Sequence, residues 1–430
     1  MNHFEVKEES KGQDLGLCIA TALMLFVISA AMFVSIDLRP IRASASNAPQ
    51  TVLGIPGCAG PISIFHTPNT HAYISGIALG SDSNMWVTEG GSSNVDKVMS
   101  DGTITEYPRP IGASSADGIT LGNDSRIWFA EHYGNKIGAI TTTGVVSEYH
   151  VPNTTAATTI EDGGLGGIAL GGDGAIWFTY GILNSGGFVG KVTPTGVFTE
   201  YKIPADSNNL FLGAIASGGA DSMWFVKSTS SGNKIVKITL SGAMTEYSEP
   251  DDRSSVGSMV LGPDQNMWLS EGGSEIFKIT PSGNFTKYSP KVDTGGIYPS
   301  GIVSGPDGNL YASNGTNIER ITPSGVFTQF PIPLPGEIPG SYPNNLAFAK
   351  DGSLWFTTGL GGAIGRLDLK AAKAKTTCGA TPSPRAIVKA PKAPARDLRW
   401  IVLVVLLLIV AGLVIANRER IKQALRKKKE

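Results

Sequence analysis

Residues 118–140 read Gly-Ile-Thr-Leu-Gly-Asn-Asp-Ser-Arg-Ile-Trp-Phe-Ala-Glu-His-Tyr-Gly-Asn-Lys-Ile-Gly-Ala-Ile, and this stretch decides the fold. A short apolar run opens on a glycine, and a tryptophan ten residues later starts a second run after a polar turn. A third run and, after a further glycine turn, a fourth complete the unit. The spacing recurs seven times, at Gly76/Trp86, Gly118/Trp128, Gly167/Trp177, Ala214/Trp224, Ser258/Trp268, Gly301/Tyr311 and Asn345/Trp355. Four short strands in each of seven repeats predict an all-β fold, a seven-bladed β-propeller over residues 61–370.

The sequence also indicates how the ring closes. Six repeats end in a fourth strand that carries an aromatic residue, whereas the seventh runs into a Lys/Ala/Pro-rich stretch. Residues 62–68, ahead of the first repeat, have the fourth-strand pattern, so we expect them to supply the outer strand of the last blade. Cys58 and Cys378 lie just beyond the paired ends of this strand and of the third strand of the seventh repeat. We therefore predict a disulfide between them.

Two uncharged apolar segments, 15–36 and 400–416, have the length of membrane spans. The basic segment 417–430 predicts a cytoplasmic tail that attracts anionic lipid, and two spans then place both termini in the cytoplasm. The first segment has an alternative, a signal sequence cleaved near residues 43–45. The predicted order is a cytoplasmic tail (1–14), a span (15–36), a linker (37–60), the extracytoplasmic propeller (61–370), a Pro/Lys/Ala-rich tether (371–399), a second span (400–416) and the basic tail (417–430).

Charge and cysteine content exclude some classes of function. The chain has a net charge of −1, but residues 371–399 carry +6, residues 417–430 carry +5 and the first 36 residues carry −2. Residues 37–370 therefore carry −10, which argues against nucleic acid as a partner. The three cysteines form no Cys-x-x-Cys pair, so no zinc or redox motif of that type is present.

A polar rim is predicted at one end of the ring. The residue before the glycine position and the residue three past the aromatic should meet there, because the first two strands of a blade are antiparallel neighbours. These residues are small, polar or charged, which predicts a ligand-binding rim or, alternatively, a merely solvated edge. The pairs are Ser75/Glu89, Asp117/Glu131, Gly166/Tyr180, Gly213/Lys227, Gly257/Glu271, Ser300/Asn314 and Asn344/Thr358. The candidate ligand-binding residues among them are Ser75, Glu89, Asp117, Glu131, Tyr180, Lys227, Glu271, Asn314 and Asn344.

The second repeat has the densest set of reactive groups, with Asp117, Glu131 and His132 together. Asp117 and Glu131 are candidate ligands for Mg²⁺ or Ca²⁺, and with His132 they form a candidate acid–base set. The alternative is hydrogen-bonded surface. Adjacent residues on a strand point to opposite faces, so His132 joins Glu131 only if the strand ends at Glu131. The repeated tryptophans are expected to pack blade against blade.

The repeats resemble those of the virginiamycin B lyase (streptogramin lyase) family. The resemblance rests on Trp-Phe-Ala-Glu at 128–131, Asn-Lys-Ile-Gly at 135–138 and Gly-Gly-Asp-Gly-Ala-Ile-Trp-Phe-Thr at 171–179. It implies a seven-bladed propeller that opens cyclic depsipeptides by elimination, with a histidine base before a first-strand glycine and Mg²⁺ held by glutamates. The matching glutamate is Glu131, but no histidine stands at the matching positions, Ser75, Asp117, Gly166, Gly213, Gly257, Ser300 and Asn344.

Two functions therefore remain open. The first is a membrane-anchored, extracytoplasmic propeller that recognises an envelope polymer, peptide or protein through its polar rim. The second is a lyase or hydrolase that acts on a cyclic or lactone-type substrate with a divalent cation. Because an aspartate is a far weaker base than a histidine near neutral pH, we expect no turnover of a streptogramin B depsipeptide.

Overall fold

A computed structural model describes the propeller repeats and the segment that closes them. The described residues are 50–52, 62–69, 72–90, 94–109, 116–132, 134–152, 164–182, 186–203, 211–229, 232–250, 256–271, 275–289, 300–332 and 342–372. Cys58, Cys378 and both predicted membrane spans lie outside these ranges. Within the ranges, no helix is both long enough and apolar enough to cross a bilayer.

The described strands form seven antiparallel sheets, which are the blades of the propeller. Strands are numbered in chain order, and β1 (Gln50–Val52) and β2 (Ile62–His66) precede the first complete blade. Blade 1 contains β3 (Tyr73–Leu79), β4 (Met85–Gly90), β5 (Asn94–Val98) and β6 (Ile104–Pro108). Blade 2 contains β7 (Ala116–Leu121), β8 (Ile127–Glu131), β9 (Lys136–Ile140) and β10 (Val146–His150). Blade 3 contains β11 (Gly164–Leu170), β12 (Ile176–Ile182), β13 (Gly186–Val192) and β14 (Phe198–Ile203).

The remaining blades repeat this pattern. Blade 4 contains β15 (Phe211–Ser217), β16 (Ser222–Thr229), β17 (Gly232–Thr239) and β18 (Met244–Ser248). Blade 5 contains β19 (Val256–Leu261), β20 (Met267–Glu271), β21 (Glu275–Ile279) and β22 (Phe285–Tyr288). Blade 6 contains β23 (Ile302–Ser304), β24 (Leu310–Asn314), β25 (Asn317–Ile321) and β26 (Phe327–Pro331). Blade 7 contains β27 (Leu346–Phe348), β28 (Leu354–Thr357) and β29 (Ala363–Leu367), and the short helix α1 (Leu369–Ala372) follows.

The ring closes as the sequence predicts. Strand β2 pairs with β29 in antiparallel register from Ile62 opposite Leu367 to His66 opposite Ala363. The N-terminal segment therefore supplies the fourth strand of blade 7, and the predicted seven-bladed propeller is confirmed. One strand was not predicted: β1 adds outside β2, where the sequence indicates only a linker. Blade 7 thus has five strands, whereas each of the other six sheets has four.

The tryptophans pack blade against blade, as expected, and Trp128 shows how. Its indole is fully buried and stacks on Tyr149 of the same blade at a centroid distance of 5.4 Å. Its Nε1 donates to Asp124 Oδ1 at 3.1 Å, so the one polar atom of the ring is satisfied. Its hydrophobic cluster includes Ile168 of blade 3. Gly196, in the last turn of blade 3, approaches the Tyr149 ring with φ +86°, and a Cβ there would lie 2.8 Å from it.

Candidate functional site

The centre of the ring is a cavity of about 480 Å³ to which all seven blades contribute. Its walls are the first strands of the blades, and most of the wall near the repeat's glycine position is bare backbone. The small residues there are Gly76, Gly118, Gly166, Gly167, Gly213, Ala214, Gly257, Ser258 and Gly301. Because glycine has no side chain, backbone amide and carbonyl groups lie close to any molecule that enters.

An aliphatic ring lies next to the glycines along the same strands. Each blade contributes the residue after its glycine position, and these are Ile77, Ile119, Ile168, Ile215, Met259, Ile302 and Leu346. The cavity therefore combines polar backbone with a ring of apolar side chains, which is the usual composition of a ligand site.

A β-bulge brings the glycines to the cavity wall. In blades 1 to 5 the pairing of the first two strands shifts by one residue at this point. The amide of Gly167 donates to Thr179 Oγ1 at 2.8 Å, and that hydroxyl donates to the carbonyl of Gly213 in blade 4 at 2.8 Å. Hydroxyl groups hold the same amide in four other blades, in the pairs Gly76/Thr88, Ser258/Ser270, Gly301/Ser313 and Asn345/Thr357.

The bulge corrects the predicted rim by one residue. The partner of Glu131 across the strands is Ala116 rather than Asp117, and that of Tyr180 is Leu165 rather than Gly166. The second members of the predicted pairs are also buried instead of solvated. Their exposed fractions are 0% for Glu89, Glu131, Glu271 and Asn314, 1% for Lys227, and 2% for Tyr180 and Thr358. None of these residues is among the described lining of the cavity.

Hydrogen bonds within and between blades explain why these polar side chains are buried. The Tyr180 hydroxyl donates to Asn135 Oδ1 of blade 2 at 3.0 Å. Lys227 donates to Glu246 Oε1 at 2.7 Å within blade 4. These side chains stabilise the propeller where a rim facing a ligand was expected. Of the first members, Ser75 is 5% exposed and Asn344 is half-buried, with its side-chain amide 3.3 Å from the Tyr73 hydroxyl.

Glu131, the candidate metal ligand, lies in a buried ion pair. Its Oε1 is 3.3 Å from Nη1 of Arg109, and both side chains are inaccessible to solvent. Burial raises the pKa of Glu131 to about 7, and the nearby Glu148 adds to this, whereas Arg109 and Lys136 act to lower the pKa. A cation bound to Glu131 would have to compete with a guanidinium already in place. The side chain of its predicted partner, Asp117, lies outside the described residues.

His132 is placed differently from Glu131. Strand β8 ends at Glu131, and a turn closed by the Gly134 amide on the Glu131 carbonyl follows at 3.1 Å, which frees His132 from strand alternation. His132 is half-buried and is the one ionisable side chain in the described lining of the cavity. Its Nδ1 lies 2.5 Å from the Leu165 carbonyl oxygen. A carbonyl only accepts, so the proton is on Nδ1, and Nε2 is the basic nitrogen of the neutral ring.

The structure adds two residues that sequence reasoning missed. Phe211, at the start of the first strand of blade 4, lines the cavity with 58% of its surface exposed. Arg109 follows the last strand of blade 1 and neutralises Glu131 from the neighbouring blade. Both stand outside the repeat positions compared in the sequence, so no periodic signal indicates them.

Comparisons with known proteins give a consistent family. The model of the virginiamycin B lyase family matches residues 50–274 and 214–391. A streptogramin B lyase structure is 26% identical, with a TM-score of 0.61, and the match covers 71% of this chain and 97% of that one. A catalytically inactive histidine-to-alanine variant of virginiamycin B lyase from Staphylococcus aureus, with quinupristin, is 28% identical, with a TM-score of 0.62 and coverage of 71% and 98%.

A more distant likeness shows the shared fold alone. The extracellular domain of a putative one-component system from B. thetaiotaomicron is 14% identical, with a TM-score of 0.52, over 73% of this chain and 40% of that one. No curated protein is significantly similar to the chain in sequence.

Proposed function

The chain belongs to the virginiamycin B lyase family, and we propose that within this family it is a membrane-anchored propeller that recognises an extracytoplasmic ligand in its central cavity. The ligand class is an exposed segment of an envelope polymer, a peptide or a protein. The binding groups are the backbone of the bulged first strands, His132 and Phe211.

The lining of the cavity carries this proposal. A wall of glycine backbone lets a ligand approach the main chain closely, and Phe211 offers an exposed aromatic face in the same cavity. The amides at the glycine position are bound by hydroxyls in five blades, so the backbone contributes mainly carbonyl acceptors, each of which can accept twice. Such acceptors with one aromatic contact favour an extended chain of repeating polar groups, such as a peptide or a sugar polymer. The carboxylate Glu131 is bound to Arg109 and does not face this space.

The anchoring part of the proposal rests on the sequence outside the described residues. Segments 15–36 and 400–416 would hold both ends of the chain in the cell membrane, with residues 371–399 as a tether. The basic tail 417–430 would lie on the cytoplasmic side against anionic lipid. In that arrangement the cavity is presented to the cell envelope.

A disulfide between Cys58 and Cys378 is part of the same proposal. The pairing of β2 with β29 supports it, because the strand ends at Ile62 and Leu367 are opposite each other. We expect peptide mapping of the full chain from membranes to yield a linked peptide that separates on reduction. Free thiols at both cysteines would contradict this pairing.

Ligand recognition is tested by binding of the full chain, purified in detergent micelles, to glycan and peptide arrays. We expect His132→Ala and Phe211→Ala each to weaken binding of the selected ligand about tenfold or more, the loss of about one good contact. The matched control is His150→Ala, because His150 is exposed on the outer strand of blade 2. Equal binding by all variants would contradict the cavity as the site.

Lyase chemistry is the second candidate, and His132 is the observation that favours it. The relative with quinupristin is inactive as a histidine-to-alanine variant, and His132 presents an imidazole to the cavity here. The oxygen ligands that Mg²⁺ or Ca²⁺ would require are not available at Glu131, because its carboxylate is paired with the guanidinium of Arg109. We therefore derive no step through a metal. Chromatographic detection of ring-opened quinupristin, formed by the wild type and lost in His132→Ala, would favour the lyase over the recognition protein.

A further inference from the structure

Blade 1 contains a group of three carboxylates away from the central cavity. Glu89 lies on β4, Asp96 on β5 and Glu106 on β6, and one oxygen from each lies within 4.8 Å of the others. Glu89 and Asp96 are fully buried, and Glu106 is half-buried. None of the three is among the described residues that line the cavity.

Strand pairing explains why the three side chains converge. Asp96 is opposite Val87 on one side and opposite Glu106 on the other, so these residues share one face of the sheet. Glu89 stands two residues beyond Val87 and therefore points to the same face. The convergence is built into three paired strands and does not depend on a loop.

Asp96 is the residue that points to a missing ligand. Among the described residues, no donor hydrogen-bonds to either of its buried carboxylate oxygens, and the polar group beside it is the carboxyl of Glu89. Burial, and then the charges of Glu89 and Glu106, raise the pKa of Asp96 well above its ordinary value. A buried carboxylate of this kind is costly unless a cation or a donor compensates it.

The other blades show how the same place is compensated elsewhere. In blade 2 the corresponding residues are Glu131, Gly138 and Glu148, and Arg109 and Lys136 pair with the two glutamates at 3.3 and 2.6 Å. In blade 4 they are Lys227, Val236 and Glu246, and Lys227 and Lys234 bind Glu246 at 2.7 and 2.8 Å. Blade 6 has one acid, Glu319, between Asn314 and Gln329.

Blade 1 has more acid and fewer bases at these positions. It places three carboxylates together, with Asn94 where blades 2 and 4 have Lys136 and Lys234. Arg109 follows by two residues Tyr107, the outer-strand aromatic that stacks on Trp86. The equivalent aromatic of blade 7 is Phe65, which stacks on Trp355, so Thr67 holds the position towards blade 1 that Arg109 holds towards blade 2. The cations that pair with the glutamates of blades 2 and 4, such as Lys136 and Lys234, are thus replaced by uncharged residues in blade 1, which has three acidic residues at these positions.

We propose that Glu89, Asp96 and Glu106 bind a divalent cation such as calcium. Two oxygens that each lie about 2.4 Å from one ion are at most about 4.8 Å apart, and Ca²⁺ takes oxygen ligands at about 2.3–2.6 Å. Water completes the coordination on the half-exposed side of Glu106.

The site lies at the seam where the ring closes. Val87, on the face that carries the carboxylates, belongs to one hydrophobic cluster with Trp355 and Ile364 of blade 7 and with Phe65 of the closing strand. A cation bound here would stabilise blade 1 where it packs on blade 7. This role is structural and is independent of the ligand in the central cavity.

The test is calcium binding by the full chain in detergent micelles after treatment with EDTA. Calorimetric titration with CaCl₂ should show one site, and a hundredfold excess of Ca²⁺ over Kd should raise Tm by about 3–6 °C. Asp96→Asn and Glu106→Gln should each abolish the shift. Glu319→Gln, at the position of Asp96 in blade 6, and Glu131→Gln should both retain it.

Two results would overturn the proposal. One is the absence of binding heat and of any Tm shift up to about 10 mM Ca²⁺, well above the Kd range of weak extracellular calcium sites. The carboxylates would then hold shared protons in place of a metal. The other is an unchanged shift in both Asp96→Asn and Glu106→Gln. A shift lost in Glu131→Gln alone would assign the ion to the second blade, and would also overturn it.

Discussion

Replacing Phe65 with alanine is expected to lower the free energy of unfolding by about 3–5 kcal/mol, as for other large aromatic side chains in cores. Phe65 is 3% exposed and stacks on Trp355 of blade 7 at a centroid distance of 5.3 Å. Its ring also contacts the turn of blade 1, where a Cβ on Gly102 would lie 2.3 Å from it. One side chain is therefore shared by both sides of the closure. Urea unfolding followed by tryptophan fluorescence measures the loss.

The control for Phe65 is the same chemical change at an exposed place. Phe211→Ala removes a ring that is 58% exposed, so its cost should stay below about 1 kcal/mol. A small effect at Phe65 as well would mean that the seam is held by other contacts, with the β2–β29 hydrogen bonds and the proposed disulfide as the remaining candidates.

The closure was predictable because it depends on a pattern that repeats. Residues 62–68 look like a fourth strand, and the seventh repeat lacks one, so only one arrangement completes the ring. Strand β1 was not predictable in this way, because it adds outside the repeating unit and has no counterpart in the other blades. Burial of the tryptophans was likewise predictable, since they recur at one strand position.

The candidate site was harder to predict, for two physical reasons. A bulge shifts the register by one residue, and the glycines that permit it at Gly76 or Gly118 look the same as glycines in a regular strand. The second reason is compensation by a neighbouring blade. In the sequence Glu131 looks like a rim carboxylate, and only the structure shows Arg109 of blade 1 beside it. The two residues are 22 positions apart, and Arg109 is not at a position that the repeat pattern marks.

The free energy of unfolding of the wild type is expected to fall as the pH rises from 4.5 to about 7, and Glu131→Gln is expected to abolish this fall. Burial raises the pKa of Glu131 from 4.5 to about 7. Between these values the folded chain keeps a proton that the unfolded chain releases, so the free energy of unfolding falls as pH rises. At about 1.4 kcal/mol per pH unit, this one group costs about 3 kcal/mol by pH 7. Below pH 4.5 and above pH 7 its contribution is constant. The glutamine variant does not titrate, and the difference in slope from the wild type is measured by urea unfolding at pH 5 to 8.

Asp101 is the control carboxyl for Glu131. Asp101→Asn should leave the slope over this pH range unchanged, because hydrogen bonds to Thr103 lower the pKa of that exposed carboxyl and it stays ionised there. If Glu131→Gln has the same slope as the wild type, Glu131 is ionised throughout, and Arg109 outweighs burial. If the slope is lost, Glu131 takes up a proton near neutral pH. A carboxyl that is neutral there is a poor cation ligand, so a lost slope would add to the Arg109 contact as an argument against a metal at Glu131.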